Sequence, residues 1–134
     1  LERLMKDGKI KIRKALPMKV TYHDPCHLGR HVGIYEPPRN VIKAIPGLTL
    51  REMATSREES HCCGAGGGLR SAHRELSIKV AGDRLKLDAL PTGAEALITP
   101  CPFCVLNFRD AVRWYGIKME ILDLVELVYK ALSI

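Results

Sequence analysis

Apolar and polar positions change period several times along the chain. Met18, Val20 and Tyr22 alternate with polar neighbours in MKVTY, the two-residue repeat of a strand. Asp24-Pro25 closes that strand, because proline cannot continue a central ladder. Pro37-Pro38 opens a helix with an apolar stripe at Val41, Ile42 and Ile45, and Pro46-Gly47 stops it. LTLREM, residues 48–53, reads as a second strand, followed by the polar stretch ATSREES and the glycine-rich HCCGAGGG. A long helix is expected from about Leu69 to Leu87, with Ala72, Leu76 and Val80 four residues apart and Ala81 and Leu85 likewise. Residues 91–93 break the pattern, and EALIT (95–99) is the third strand. Pro102 begins a helix that carries Phe103, Leu106 and Val112 and ends at Gly116. Lys118 to Leu122 is the fourth strand. Asp123, with Glu126 three residues on, begins a final helix through a capping box, and its apolar positions are Leu124, Leu127, Val128, Ala131 and Leu132.

Strands that alternate with helices predict an α/β domain with a mostly parallel four-stranded sheet flanked by helices. In such sheets the loops beyond the carboxyl ends of the strands build the site. The domain is expected over residues 18–134, with residues 1–17 as an N-terminal basic helix or linker. The first residues carry no apolar signal core. The chain opens on Leu1 rather than methionine and is expected to be processed or cut from something longer.

Charge changes this picture little. The formal net charge is +6, and residues 1–14 hold much of it, with Arg3, Lys6, Lys9, Lys11, Arg13 and Lys14 against Glu2 and Asp7. No aromatic-interleaved basic patch follows, so the arm reads as a solvated helix and nucleic acid is not an expected partner. With 46% apolar and 27% charged residues the chain is no disordered segment, and no apolar run is long enough to span a bilayer.

The cysteines change it most. All five follow strands: Cys26 after the first, Cys62 and Cys63 in the loop after the second, Cys101 and Cys104 after the third. The odd count and low density exclude a secreted disulfide scaffold. CPFC, at a loop-to-helix junction, can point two sulfurs at one centre, and a helix N-terminus favours the thiolate that metals bind. Zinc, iron–sulfur and thiol redox chemistry all use such a pair. Side chains of adjacent Cys62 and Cys63 diverge, which suits different metals of a cluster better than one tetrahedral ion. Structural zinc takes four ligands and leaves one of the five cysteines spare. Gly64, Gly66, Gly67 and Gly68 remove side-chain bulk, so backbone N–H groups can approach a cluster and hydrogen-bond its sulfurs.

Cys26 within YHDPCHLGR, Cys62-Cys63-Gly64 within HCCGAGGG and Cys101-Pro102-Phe103-Cys104 together resemble the cysteine-rich CCG domain. That domain occurs in heterodisulfide reductase catalytic subunits and in iron–sulfur subunits of glycolate oxidase and lactate-utilisation systems. The resemblance runs over about residues 18–133. It implies a noncubane [4Fe-4S] cluster held by Cys26, Cys62, Cys63, Cys101 and Cys104, with zinc in some related domains. It also implies an iron–sulfur oxidoreductase domain or subunit that is not active alone. This chain has a single CCG unit and no CxxCxxCxxxCP ferredoxin motif. Electrons are therefore expected from a partner: a ferredoxin-like domain, a flavoprotein, or a membrane quinone or cytochrome subunit.

His23 and His27 lie within three residues of Cys26 and are candidate proton donors for reduction, the other reading being hydrogen bonding that shapes the loop. Asp24 is expected to stabilise the turn. Arg30 holds either an anionic substrate group or a surface ion pair. The leading function is an iron–sulfur redox domain that passes electrons to or from a disulfide or a quinone-linked chain. The alternatives are a zinc-bound structural module of the same fold and a metal-free thiol redox module. The thiols suit a reducing, cytoplasmic setting, with membrane contact only through a partner.

Overall fold

The computed structural model describes residues 1–132; the last two residues of the expected domain, 133 and 134, lie outside the described residues. The elements are α1 (Glu2–Lys6), β1 (Met18–Tyr22), α2 (Glu36–Lys43), β2 (Leu48–Leu50), α3 (Leu69–Ala72), α4 (Arg74–Arg84), β3 (Ala96–Thr99), α5 (Pro102–Tyr115), β4 (Glu120–Asp123) and α6 (Leu124–Ala131). One π turn follows β1 at His27–His31 and another extends α4 over Leu85–Ala89. The four strands pair in the order β2-β1-β3-β4, every neighbour parallel. The α/β class expected from the alternation is therefore the fold.

Strand alternation divides the core in two. Val20, Tyr22, Ala96, Ile98 and Leu122 face α2 and α6, where Val41, Ile42, Ile45, Leu127 and Val128 meet them. Leu97 and Ile121 face the other way, against Ile78, Ala81 and Leu85 and against Val105, Phe108 and Ala111 of α5. The N-terminal arm also packs on the first layer through Met5, Ile10, Ile12 and Leu16. Lys14 and Arg13 donate backbone N–H groups to the Ala131 carbonyl, each at 3.1 Å.

Three elements depart from the periodicity. The expected 69–87 helix is interrupted at His73, whose backbone (φ −139°, ψ 69°) separates α3 from α4. Its expected stripe is buried only in part: Ala81 and Leu85 pack inward as expected, but Ala72 and Leu76 are exposed, and Ser77, Ile78 and Gly82 complete the inner face instead. Small residues form this face because neighbours come close; Gly82 lies under the Tyr115 ring. On α5, Phe103 and Leu106 are exposed and Cys104, Val105, Phe108 and Ala111 are buried, because the helix turns Cys104 toward the sheet. β2 ends at Leu50 rather than at 53, since Glu52 turns to Arg39 and Met53 enters the α4/α5 layer.

The last helix starts as expected. The Asp123 carboxylate accepts the Val125 N–H at 2.7 Å, and Glu126 accepts the Asp123 N–H at 2.9 Å. Asp123→Ala is expected to lower stability by about 1 kcal/mol, read as a lower melting temperature; an unchanged melting temperature would show that the cap carries no stability.

Candidate metal centre

Because all strands are parallel, their carboxyl ends lie along one edge of the sheet. The chain leaves β1 and β3 in opposite lateral directions, which opens a crevice between those two strand ends. His23, Asp24, Pro25 and Cys26 leave β1 there. Pro100 and Cys101 leave β3, and Cys101 is the N-cap of α5 with Pro102 in its first turn. The loop after β2 brings Cys62 and Cys63 to the same place.

One cavity results, lined by His23, Asp24, Cys26, Arg30, His61, Cys62, Cys63, Gly66 and Cys104. Cys104 donates to Cys63 with sulfurs 3.1 Å apart, and both are buried. Ligand atoms of His23, Cys63 and Cys104 lie within 4.8 Å of one another. Cys62 is exposed and its sulfur accepts the Gly64 N–H at 3.2 Å. Cys101, half-buried, packs against the layer that holds Cys63 and Cys104 but does not line the cavity. His27 also lies outside it, exposed and stacked on His31 with ring centroids 4.8 Å apart.

The glycines separate by task. Gly66 lines the cavity, whereas Gly67 (φ +63°) is an exposed turn residue. Gly64 is buried behind Cys63 at φ +80°, and a Cβ there would meet the Ser77 carbonyl oxygen at 2.7 Å and Val80 Cβ at 2.8 Å. Gly64→Ala combines left-handed backbone strain with overpacking and is expected to cost about 2–3 kcal/mol. Urea unfolding of the metal-free protein measures it, and a cost below about 1 kcal/mol would mean that the loop relaxes freely.

Electrostatics keep the adjacent Cys62 and Cys63 thiols protonated. The hydrogen bond from Cys104, then burial, pushes the Cys63 thiol up to about 12. Cys62 is raised further, by its contact with Cys63 and then by burial. Binding a metal must displace these protons, so uptake is favoured as pH rises. Burial, followed by the charges of Arg84 and Arg30, holds His23 well below the usual histidine range, so its imidazole is neutral.

Several residues that shape the site gave no periodic or motif signal. Arg39 is buried on α2 and grips Asp24 with two hydrogen bonds of 2.7 Å, which gives the expected turn residue its partner. Arg30 lines the cavity and makes no ion pair among the described residues; it donates to the carbonyls of Ser60 (2.6 Å) and Glu58 (3.3 Å) and ties the β1 loop to the β2 loop. Arg84 reaches His23, Thr55, Asp88 and Ser60. Asn107 donates to the Cys63 carbonyl at 2.6 Å. A charged or amide residue on the inner face of an otherwise amphipathic helix is the one sequence signal that marks Arg39, Arg84 and Asn107.

Five cysteines on successive strand ends and an all-parallel sheet define a cysteine-rich α/β domain with a thiol-lined crevice. The chain belongs to the CCG cysteine-rich domain family, whose model matches residues 20–109. A component of the dihydromethanophenazine:CoB–CoM heterodisulfide reductase from Methanosarcina acetivorans is 48% identical over 134 residues, all of this chain and 32% of that protein. The probable iron-sulfur-binding oxidoreductase FadF of Bacillus subtilis is 37% identical over 130 residues, 96% of this chain and 18% of that protein. The EtfAB:quinone oxidoreductase of Syntrophomonas wolfei is 36% identical over 141 aligned positions, 99% of this chain and 20% of that protein. The chain thus spans a third or less of the curated relatives it matches. These relatives are oxidoreductases or their subunits, and an iron–sulfur oxidoreductase class fits the donor set. No helix among the described residues is long and apolar enough to cross a membrane.

Proposed function

We propose that this domain holds a noncubane [4Fe-4S] cluster on Cys26, Cys62, Cys63, Cys101 and Cys104. It serves electron transfer in an iron–sulfur oxidoreductase of the heterodisulfide reductase kind, to or from a disulfide or a quinone-linked chain. The observation that carries this reading is the meeting of Cys26, Cys62, Cys63 and Cys104 in one cavity from three separate strand ends. Thiolate is the donor that iron–sulfur clusters take; four thiols line the cavity and Cys101 beside it is a fifth, beyond the four that structural zinc needs. The cavity measures about 20 Å³, the room of one water, so admitting a larger group requires the exposed Gly66–Gly68 part of the loop to move outward. Its glycines supply the freedom to do so.

When bound, such a cluster supplies one-electron chemistry at sulfur. The residues around it do the rest. Arg39 and Asp24 fix the approach to Cys26, Asn107 holds the Cys63 backbone, and Gly64 and Gly66 bring main chain close to the sulfurs. Of the two candidate proton donors, His23 lines the cavity but is buried and neutral, and His27 is exposed beside Cys26 and outside the cavity. Electrons come from a ferredoxin-like domain, a flavoprotein or a membrane quinone or cytochrome subunit, in a reducing compartment, with any membrane contact made by that partner.

One observation favours a zinc module: His23, Cys63 and Cys104 form a compact three-ligand group. Anaerobic reconstitution with ferrous iron and sulfide separates the two. The iron–sulfur reading expects a brown protein with about four iron and four sulfide per chain. A colourless protein that keeps one tightly bound zinc and takes up no iron overturns it.

A further inference from the structure

We infer that His23 and Thr99 form a floor of hydrogen-bond donors beneath the cysteine cavity, and that this floor sets how readily a centre held there accepts an electron. The inference rests on the iron–sulfur reading above.

Strand register places the two residues side by side. β1 and β3 pair Thr21 with Leu97 and Tyr22 with Ile98, and the His23 N–H continues the ladder to the Ile98 carbonyl at 3.0 Å. Alternation sends Tyr22 and Ile98 to the α2/α6 side. It therefore sends His23 and Thr99, with Leu97, to the side that holds Cys63 and Cys104. The His23 ring bears this out: it meets Phe108 edge-on, centroids 4.9 Å apart, one helical turn beyond Cys104.

Both groups are donors by chemistry. Arg84 is a donor only, and its Nε lies 3.4 Å from His23 Nδ1, so Nδ1 accepts and the proton of the neutral ring sits on Nε2. Arg84 is itself fixed by Thr55 Oγ1 at 2.6 Å and Asp88 Oδ2 at 2.8 Å, which locks that tautomer. With Nδ1 taken up by Arg84, the Nε2–H is free to donate a hydrogen bond to sulfur, and a zinc ion on this ring would first have to displace that proton or the Arg84 bond. Thr99 is fully buried, and its hydroxyl has no hydrogen-bond partner among the described residues. A buried unpaired hydroxyl is costly, so one that persists calls for a partner. Of the other two such hydroxyls, Tyr22 faces the opposite layer, and Thr21, paired with Leu97 on the same face, stands before the strand end, five residues ahead of Cys26. Thr99 is the last residue of β3 and stands two before Cys101.

Reduction adds negative charge to a cluster and its thiolates. A donor aimed at those sulfurs stabilises the reduced form more than the oxidised form, and so raises the potential.

Thr99→Val removes the hydroxyl at nearly constant shape, and Thr99→Ser keeps it. In the anaerobically reconstituted protein, a spectroscopic redox titration of Thr99→Val should give a more negative midpoint. At fixed potential the reduced-to-oxidised ratio is expected to fall about tenfold, or about 59 mV for a one-electron couple, and Thr99→Ser should restore it. His23→Leu should move the midpoint in the same direction. In the metal-free protein the sign reverses: Thr99→Val loses only an unpaired hydroxyl and should melt higher than wild type. A loaded Thr99→Val protein with the wild-type midpoint, or a metal-free one that melts lower, overturns the inference alone. A wild-type protein that takes up no iron and sulfide overturns the iron–sulfur reading and this inference with it.

Discussion

A Cys63→Ser variant, reconstituted anaerobically, is expected to retain less than about a tenth of the wild-type iron. Losing a group that merely hydrogen-bonds a ligand typically costs about 10–100-fold in metal affinity, so losing the ligand itself costs no less. Serine presents a hard alcohol oxygen, bound to its proton at neutral pH, where iron and zinc select a soft thiolate. Cys63 is the position where this matters most. It is buried, its sulfur touches that of Cys104, and its backbone carbonyl is held by Asn107, so no neighbouring group can swing in to replace it. Cys101→Ser is the comparison. Cys101 lies beside the cavity rather than on its wall, and a five-cysteine ligand set requires it to lose iron as severely as Cys63→Ser. Iron and sulfide analysis with the visible spectrum reads both. Full iron content in Cys101→Ser reduces the ligand set to the four cysteines that line the cavity, and full content in Cys63→Ser removes the basis of the cluster assignment. The metal-free variant should keep nearly wild-type stability, which separates loss of a ligand from loss of the fold.

The position of the site was legible because parallel sheets allow few choices. Once Cys26, Cys62-Cys63 and Cys101–Cys104 were placed after three successive strands, parallel pairing put them on one edge. Helix phase was harder to read. On α4 the buried face is Ile78 with Ser77, Ala81 and Gly82, and Ser77 and Gly82 permit close approach to the Gly64 loop and to Tyr115. A search for large apolar side chains selects Leu76, which is exposed. On α5 the requirement to bury Cys104 and Asn107 sets the phase, and leaves Phe103 and Leu106 outside. Long-range polar pairs carry no local signal at all. Asp24 was visible as a turn residue, but its partner Arg39 lies fifteen residues away on a helix whose other inner positions are apolar.

That pair should be the most sensitive point of the metal-free fold. Arg39→Met is expected to cost about 3–5 kcal/mol, since it leaves the Asp24 carboxylate buried without its counter-ion. Both side chains are only 1% exposed, so water cannot compensate. Methionine fills the space of the aliphatic stem but loses both 2.7 Å bonds to Asp24, the 3.0 Å pair with Glu52, and the guanidinium stacked 4.7 Å above the Tyr22 ring. The damage should reach the metal site as well. Asp24 also accepts the Arg57 N–H at 2.8 Å, and its carbonyl accepts from the Ser60 hydroxyl at 3.0 Å, which ties the loop before Cys62 to the loop before Cys26. Arg57 needs that anchor, because it alone among the described non-glycine residues has a positive φ, at 54°. Urea unfolding gives the stability loss, and iron uptake gives the effect on the site. Asp24→Asn combined with Arg39→Met removes the stranded charge and should recover part of the loss, because most of the cost lies in the unpaired carboxylate rather than in the attraction itself. If Arg39→Met alone costs under about 1 kcal/mol, the β1 loop is held by its backbone and not by this pair. If the double variant is stable but still takes up iron poorly, the pair's role is to aim Cys26.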